Sequence, residues 1–137
     1  MEIYGIMSEI KVKFIVSEGI ESQINGLQQR QVIINPVMVF SSKYIPTSLS
    51  LATTIVASGV ETGKHIINLR INNCTKEDDV FNSGNTNVEI NELLDNFVLS
   101  ADLKNIAFET EGQYKVIFTI DGQEFEDTFS VKKTVEK

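Results

Sequence analysis

Few residues of this chain have side chains that commonly perform covalent catalysis. The 137-residue sequence contains one histidine, His65, and one cysteine, Cys74. A nucleophilic cysteine needs a base within hydrogen-bonding distance, and His65 is the only imidazole in the chain. In one extended strand, their nine-residue separation spans about 30 Å. A Cys–His dyad is therefore not expected, and an enzyme that uses Cys74 is the third of three functional hypotheses.

The rest of the sequence also argues against an enzyme. His65 has the same parity as Ile67, Leu69 and Ile71, which predicts a histidine at a strand end that faces the core. No Gly-x-Ser-x-Gly, P-loop or Gly-x-Gly-x-x-Gly motif occurs. One histidine and one cysteine leave no cluster with metal-ligand spacing. We predict no catalytic residue, no metal and no cofactor.

An acidic segment follows Cys74 in the most loop-like part of the chain, residues 72–87. Its oxygen-bearing side chains lack the alternating acids and the bidentate glutamate of an EF-hand, so a solvated loop is predicted. Because sandwich domains display binding groups on loops, this loop and residues 17–31 are the predicted partner-binding segments. The candidate partner-binding residues are Glu77, Asp78, Asp79, Asn82 and Asp127.

The charge and composition restrict the partners. A net charge of −7 and a pI near 4.7 argue against direct nucleic-acid binding and anionic membranes, which require clustered lysine and arginine. They fit a protein partner with a basic face. One cysteine excludes an intramolecular disulfide. The start of the chain does not read as a secretory signal, and no apolar run reaches the ~20 residues of a membrane helix. A reducing cytoplasm, bacterial or that of a phage-infected cell, is predicted.

The length of the chain predicts one domain, residues 1–137. Met7 begins a segment that resembles a start as much as Met1 does, so either residue is a candidate start. Residues 1–8 are predicted to be disordered or to precede the true start, and residues 133–137 to form a frayed tail.

Alternation with a period of two dominates the sequence and predicts β-strands, for example at residues 9–16. Residues 17–31 are polar and predict a loop, with a short helix at 18–27 as a weaker alternative. Residues 49–56 and 64–71 predict a hairpin. The apolar run Val32–Phe40 is split by Asn35-Pro36, which predicts an edge strand, a bulge or a kink. Roughly seven to nine strands with little helix indicate an all-β antiparallel sandwich.

The last hairpin has a register that the sequence specifies. Asp121-Gly122 supplies the two positive-φ residues of a type I′ turn. The resulting pairs on one face are Phe118 with Phe125, Tyr114 with Phe129, and Val116 with Asp127. Asp127 therefore falls on the apolar face. Either that face opens to solvent near an edge, or Asp127 is a buried carboxylate paired with Arg70 or a lysine, which makes it a candidate site.

Residues Glu111-Gly112-Gln113-Tyr114 resemble the tyrosine corner of immunoglobulin-like sandwiches, although the cysteine pair and tryptophan of antibody domains are absent. The last 75 or so residues are also similar to a family of small bacterial and prophage-borne proteins of uncharacterised function. The positions that match its pattern are Phe97, Leu103, Phe108, Gly112, Tyr114 and Gly122. The resemblance implies a β-sandwich and brings no catalytic residues.

Our first hypothesis is a small acidic, non-enzymatic protein-binding module. Within that hypothesis, the module is encoded by a phage or mobile element and acts on a host protein, for example as an inhibitor of a defence system. The second hypothesis is a virion or other self-assembling β-sandwich subunit. The Val32–Phe40 run supports it, since an apolar edge strand is able to pair with another copy.

Overall fold

The structure is a computed structural model, and it describes residues 9–134. That range contains ten strands and no helix. The strands are β1 (Lys11–Asn25), β2 (Gln28–Pro36), β3 (Val39–Ser42), β4 (Thr47–Ser58), β5 (Gly63–Asn73), β6 (Asp78–Asn82), β7 (Thr86–Ile90), β8 (Phe97–Phe108), β9 (Gly112–Ile120) and β10 (Gln123–Lys133). The prediction of an all-β fold is confirmed. The strand number exceeds the expected seven to nine because both segments predicted as loops contain strands.

The strands form two sheets that pack face to face as a β-sandwich. One sheet has the order β2-β1-β4-β8, and the other has the order β3-β10-β9-β5-β6, with β7 also paired to β5. Apolar side chains from both sheets form the core, and its largest fully buried members are Tyr114, Phe108, Phe118, Leu51, Ile55, Ile71 and Ile120. The pairing of β4 with β8 in one sheet, and of β5, β9 and β10 in the other, is the immunoglobulin-like arrangement.

The C-terminal hairpin has the predicted register. Phe118 pairs with Phe125 and Tyr114 pairs with Phe129 in the β9–β10 ladder. The two turn residues have positive φ, 48° at Asp121 and 84° at Gly122, as a type I′ turn requires. The rings of Tyr114 and Phe129 are stacked, with centroids 5.8 Å apart. Sequence pattern and turn chemistry together specify this element.

The tyrosine corner is also confirmed. The hydroxyl of Tyr114, near the start of β9, donates a 2.6 Å hydrogen bond to the backbone carbonyl of Thr110. Tyr114 is fully buried, and its ring contacts Phe108 edge-on with centroids 4.9 Å apart. The bond thus ties the β8–β9 connection to the core.

The loop and the short helix predicted for residues 17–31 are wrong. β1 continues through this region to Asn25, and β2 returns from Gln28. Gly26, with φ 66°, is the first of the two residues between them, as in a type II′ turn. Beyond Ser17, β1 pairs with β2 alone. We call residues 18–35 the β1–β2 ribbon. Its outer part is exposed, so its sequence shows no apolar alternation.

The hairpin predicted from residues 49–56 and 64–71 is wrong as well. Both segments are strands, but β4 lies in one sheet and β5 in the other, so residues 59–62 cross between sheets. Local alternation predicts that a strand exists but does not specify the sheet to which it belongs.

The Val32–Phe40 run also spans both sheets. It ends β2, an edge strand of the four-stranded sheet, and enters β3, an edge strand of the other. The edge-strand prediction at Asn35-Pro36 is therefore confirmed. β3 pairs in parallel with β10.

The last described residues contact β3. Lys133 pairs with Ser42, and the backbone amide of Thr134 donates to the carbonyl of Ser42 at 2.7 Å. Lys133, which was predicted to belong to a frayed tail, is therefore the last residue of β10. Residues 1–8 and 135–137, where the remaining terminal predictions fall, lie outside the described residues. Residues 9–134 contain no helix that is long and apolar enough to cross a membrane.

Candidate functional site

Several chain connections meet at one end of the sandwich, which we call the turn end. It comprises residues 9–10 before β1, residues 59–62 between β4 and β5, residues 91–96 between β7 and β8, and the turn at 121–122. The ladders place them together, because Lys11 pairs with Ser58 and Ala57 pairs with Phe97. Residues from these segments also line two cavities, which are described below.

His65 lies at the centre of the turn end and contacts two connections at once. Its Nδ1 is 2.6 Å from Oδ2 of Asp121, and its Nε2 is 2.7 Å from the backbone carbonyl of Glu61. The other oxygen of Asp121 accepts a 2.9 Å hydrogen bond from the backbone amide of Ile66. The amide of Asp121 in turn donates to the carbonyl of Ile66 at 2.9 Å. The imidazole therefore links β5 to both adjacent turns.

The partners of His65 determine its protonation. A carboxylate and a backbone carbonyl are both acceptors, so satisfying both contacts requires a proton on each ring nitrogen. The hydrogen bonds to Asp121 and then to Glu61 raise the pKa of His65 above its ordinary value. The bond from His65, followed by the amide of Ile66, lowers the pKa of the Asp121 carboxyl. The two side chains form an ion pair whose members are 11% and 46% exposed.

A cavity of about 430 Å³ opens beside this ion pair. Its lining combines apolar and acidic groups: Glu9, Ile10, Gly59, Glu61, His65, Ile120, Asp121 and Gln123. None of these residues bears a hydroxyl or thiol nucleophile, so the histidine–aspartate pair has no group to activate within this lining. The groups in this lining are able to form hydrogen bonds and to recognise charge.

Gly59 allows the N-terminal segment to close one side of this cavity. Its φ is 80°, and a Cβ built on it would lie 2.5 Å from the carbonyl oxygen of Glu9. Any other residue would therefore displace the backbone of Glu9. Glycine here determines how closely the segment before β1 approaches the β4–β5 connection.

A second cavity, of about 400 Å³, lies at the same end beneath residues 91–96. Ile90, Leu94 and Phe97 are among its lining residues. Leu93 and Leu94 are 81% and 38% exposed. Apolar side chains that project from a connection between strands are typical of contact surfaces rather than of a folding core.

The residues predicted to bind a partner do not form one site. Asp78, Asp79 and Asn82 lie on β6, and Glu77 lies in the turn before it, so the loop predicted for residues 72–87 is corrected to two strands joined by turns. Each of these strands has five residues, and Asp78, Asp79 and Asn82 in β6 are residue types of low strand propensity, so propensity does not reveal the strand. Asp127 lies on β10, and β9 and β5 separate β10 from β6 in the sheet.

Asp79 is held by its own neighbours. It accepts hydrogen bonds from Asn72 at 3.1 Å and from Arg70 at 3.3 Å. Arg70 also contacts Glu124, with a 3.6 Å ion-pair distance. This network lies on the outer face of the six-stranded sheet and stabilises the pairing of β5 with β6.

Asp127 is exposed, which selects the first of its two predicted environments. Its carboxylate accepts a 2.9 Å hydrogen bond from the amide of Thr128. Arg70, the suggested partner, pairs with Asp79 and Glu124 instead. Asp127 also borders a cavity of about 220 Å³ between β1 and β10, where the sandwich opens. The apolar face thus ends at solvent, and the idea of a buried, paired Asp127 is wrong.

Cys74 and His65 lie at opposite ends of β5. Cys74 follows the last residue of β5, and its amide donates to the carbonyl of Gln113 at 3.0 Å. His65 is the third residue of the same strand. This placement agrees with the expectation that no Cys–His dyad forms. Within residues 9–134, no group of three or more histidine, cysteine, aspartate or glutamate side chains is arranged to hold a metal ion.

The contact between His65 and Asp121 was not predicted from the sequence. Asp121 was interpreted only as a turn residue, and His65 only as a strand-end residue. The contact depends on the register between β5 and β9, which pairs Ile67 with Ile120 and so places His65 beside the turn. The available signal was the strand-end position of His65, but nothing in the sequence specified which turn lay next to it.

Comparison with known families identifies the chain. The model of a family of unknown function (DUF6941) matches residues 15–129. The chain belongs to this family. The match begins in β1, so membership of DUF6941 rests on nearly the whole sandwich rather than on its last 75 residues alone. A search of curated proteins found no match.

Solved structures resemble this DUF6941 member in fold only. A β-glucosidase from Listeria innocua, in complex with glucose, has a TM-score of 0.48 and 12% identity; the match covers 94% of this chain. The chain spans only 17% of that β-glucosidase's length. The CARDB domain of a Pyrococcus furiosus protein, in complex with di-metal ions, has a TM-score of 0.45 and 12% identity, with 90% and 96% of the chains covered. An immunoglobulin-like protein from Pseudomonas aeruginosa has a TM-score of 0.42 and 11% identity, with 93% and 99% covered.

Proposed function

We propose that this protein is a non-enzymatic protein-binding module whose contact surface is the turn end. The observation that supports this most directly is the coincidence of two cavities and the exposed Leu93 and Leu94 at that end. Immunoglobulin-like sandwiches commonly use the connections at one end for recognition, because the sheets hold those connections in place.

The charge of the turn end indicates the kind of partner. The acidic side chains in its four segments are Glu9, Glu61, Glu92, Asp95 and Asp121. The same segments contain no lysine or arginine. A partner with a basic rim around an apolar contact would be complementary in charge and would associate faster at low salt. The finer hypothesis, a phage-encoded inhibitor of a host protein, stays a prediction.

The β6 region, which the sequence analysis favoured, is the competing surface on the same molecule. Its central carboxylate, Asp79, is already bonded to Arg70 and Asn72. Binding a partner through Asp79 would require breaking these contacts. Residues 92 to 95 are exposed and offer both apolar area and charge without that cost.

A pair of charge-reversed variants distinguishes the two surfaces. The turn-end variant combines Glu92→Lys with Asp95→Lys, and the matched control combines Glu77→Lys with Asp78→Lys, which makes the same change in net charge. Wild type and both variants are immobilised, and proteins retained from a bacterial lysate at moderate salt are quantified by mass spectrometry. The retained protein is then purified and titrated against each variant.

We expect the turn-end variant to lose binding by about tenfold or more and the control to bind as wild type does. Loss of binding in the control alone would assign the partner to the β6 region and contradict the proposal. Failure of the wild type to retain any protein specifically would contradict a protein-binding function altogether.

Self-association is a second candidate function, supported by one observation. Met38, between β2 and β3, and Val39, the first residue of the edge strand β3, are 80% and 44% exposed. Light scattering over a concentration series tests it. A self-assembling subunit grows in mass with concentration, and Met38→Ser combined with Val39→Thr reverses the growth. A wild-type mass that stays at that of one chain at every concentration would contradict this function.

A further inference from the structure

His65 has an arrangement of contacts that only one protonation state satisfies. Its two ring nitrogens lie 2.6 and 2.7 Å from acceptors on two different connections, the turn at 121–122 and residues 59–62. The side chain of His65 is only 11% exposed, so water has limited access to replace either hydrogen-bond partner. A doubly protonated imidazole donates to both acceptors at once.

Loss of one proton leaves a single donor for two acceptors. The carboxylate of Asp121 is the stronger acceptor because it is charged, so the remaining proton stays on Nδ1. The deprotonated Nε2 then faces the carbonyl oxygen of Glu61, and two lone pairs at 2.7 Å repel one another. The contact that is lost is therefore the one between the ring and Glu61.

The two connections differ in what else holds them. The turn at Asp121 keeps two contacts with the backbone of Ile66: the Ile66 amide donates to the Asp121 carboxylate, and the Asp121 amide donates to the Ile66 carbonyl, each at 2.9 Å. Residues 59–62 cross between the sheets and are not part of a strand ladder. Val60 anchors this connection in the core, where it is 4% exposed, whereas Glu61 and Thr62 are exposed. Release of Glu61 is expected to loosen residues 61–62, while Val60 and the turn at 121–122 stay in place.

We propose that His65 is a proton-operated clamp, which fixes residues 61–62 against β5 when the ring is charged and releases them when the ring is neutral. The charged groups that face the ring are Asp121 from the β9–β10 turn, Glu61 from the β4–β5 connection, and Glu9 across the cavity from the segment before β1. All three are acidic, and Asp121 and Glu61 favour the charged ring. Lys64, the residue before His65 in β5, pairs with Glu89 of β7. Because successive side chains of a strand point to opposite faces, the side chains of Lys64 and Glu89 lie on the other face of the sheet.

The clamp changes the shape of the 430 Å³ cavity, because Gly59 and Glu61 line it together with His65. Release of residues 61–62 changes the Glu61 side of the cavity, while Gly59, which lies against the backbone of Glu9, and the buried Val60 stay in place. The clamp does not depend on the proposed binding function. It acts on the turn end whether or not a partner binds there.

Nuclear magnetic resonance of the full chain tests the clamp without any partner. Imidazole nitrogen shifts report which ring nitrogens are protonated, and carbon-13 relaxation reports the motion of residues 60–62. Both are measured from about pH 5 to about pH 9, a range that brackets the ordinary histidine pKa. The variants are His65→Gln, whose amide does not titrate, and Asp127→Asn as a matched control that removes an exposed carboxylate from β10.

We expect both ring nitrogens to be protonated at about pH 5 and Nδ1 alone at about pH 9. Order parameters of residues 61 and 62 should fall from about 0.85 toward about 0.6 over the same titration, while those of Val60 and the 121–122 turn stay at about 0.85. His65→Gln should show no such midpoint, and Asp127→Asn should follow the wild type. A neutral ring at about pH 5 would overturn the proposal. A loss of order in His65→Gln with the wild-type midpoint would overturn it too.

Discussion

The buried hydroxyl of Tyr114 fixes the connection between β8 and β9. It donates to the carbonyl of Thr110 at 2.6 Å, and the ring is fully buried. Tyr114→Phe retains the ring but leaves that carbonyl with one partner fewer. We expect a loss of about 1–2 kcal/mol in the free energy of unfolding, measured by urea denaturation.

Tyr44→Phe is the control for that measurement, because Tyr44 is 71% exposed. It should change stability by less than about 0.5 kcal/mol. Equal effects from both substitutions would show that the hydroxyl of Tyr114 does not stabilise the corner.

Alanine variants at two glycines with similar backbone angles distinguish backbone strain from a steric clash of the added Cβ. Gly59 and Gly84 have φ of 80° and 76°, but a Cβ on Gly59 meets Glu9 at 2.5 Å and one on Gly84 meets nothing within 4 Å. Both alanine variants lose roughly 1 kcal/mol to the left-handed backbone. We expect Gly59→Ala to cost about 1–3 kcal/mol more, through overpacking against the backbone of Glu9. Thermal and urea unfolding measure the difference, and equal losses would contradict the close approach.

Single residues were predictable where their partners lie close in sequence. Tyr114 bonds a carbonyl four residues away, and Asp121-Gly122 defines its own turn, so local pattern was sufficient for both. His65 and Asp121 are 56 residues apart and meet only because β5 and β9 pair in one particular register. The sequence does not state that register.

At the scale of elements, β4 is buried on both faces. Leu51 and Ile55 face the core, while Ala52 and Thr54 on the opposite face are also buried. The β1–β2 ribbon covers that outer face, since Gln31 of β2 contacts the Ser100 hydroxyl of β8 at 2.5 Å. A polar ribbon that pairs only with itself gives no alternating pattern, which explains why residues 17–31 resembled a loop.

Because β4 is buried, its threonines show how a buried hydroxyl affects the stability of the fold. Thr53 is completely buried, and its hydroxyl oxygen has no hydrogen-bond partner among the described residues. Thr53→Val replaces the hydroxyl with a methyl group of similar shape and removes a desolvated polar atom. We expect a gain of about 1 kcal/mol in the free energy of unfolding.

Thr128→Val serves as the comparison for Thr53→Val, because Thr128 is exposed on β10. Its effect should stay within about 0.5 kcal/mol. A loss of stability in Thr53→Val would indicate that the hydroxyl has a partner, such as a bound water, that stabilises β4.

At the scale of the whole molecule, different contacts stabilise the two opposite ends of the sandwich. The tyrosine corner fixes the end near Thr110, and the ion pair of His65 and Asp121 links the turn end. The sequence was sufficient for the fold class and for the C-terminal hairpin. It was insufficient for the turn end, because that surface is assembled from connections whose neighbours are determined only by the packing of the two sheets.

The pH dependence of stability follows from the shifted pKa values of this ion pair. The pKa of His65 is raised by its bonds to Asp121 and Glu61, so its contribution is complete below the unfolded histidine pKa of about 6.5 and is lost as pH rises through the higher folded value. The pKa of Asp121 is lowered by His65 and the amide of Ile66. Its contribution is complete above about pH 4 and is lost as pH falls through the lower folded value.

We therefore expect the ion pair to contribute most to the free energy of unfolding between about pH 4 and about pH 6.5. From physiological pH, a rise in pH weakens this contribution because His65 loses its proton. Urea unfolding of the wild type and His65→Gln from about pH 4 to about pH 9 measures the contribution as the difference between the free energies of unfolding of the two proteins. The difference should be largest near about pH 5.5 and should shrink as pH rises above the folded pKa of His65. Asp127→Asn, which alters an exposed carboxylate away from the pair, should follow the wild-type curve. A difference between wild type and His65→Gln that grows with rising pH would show that the neutral ring, rather than the charged one, stabilises the turn end.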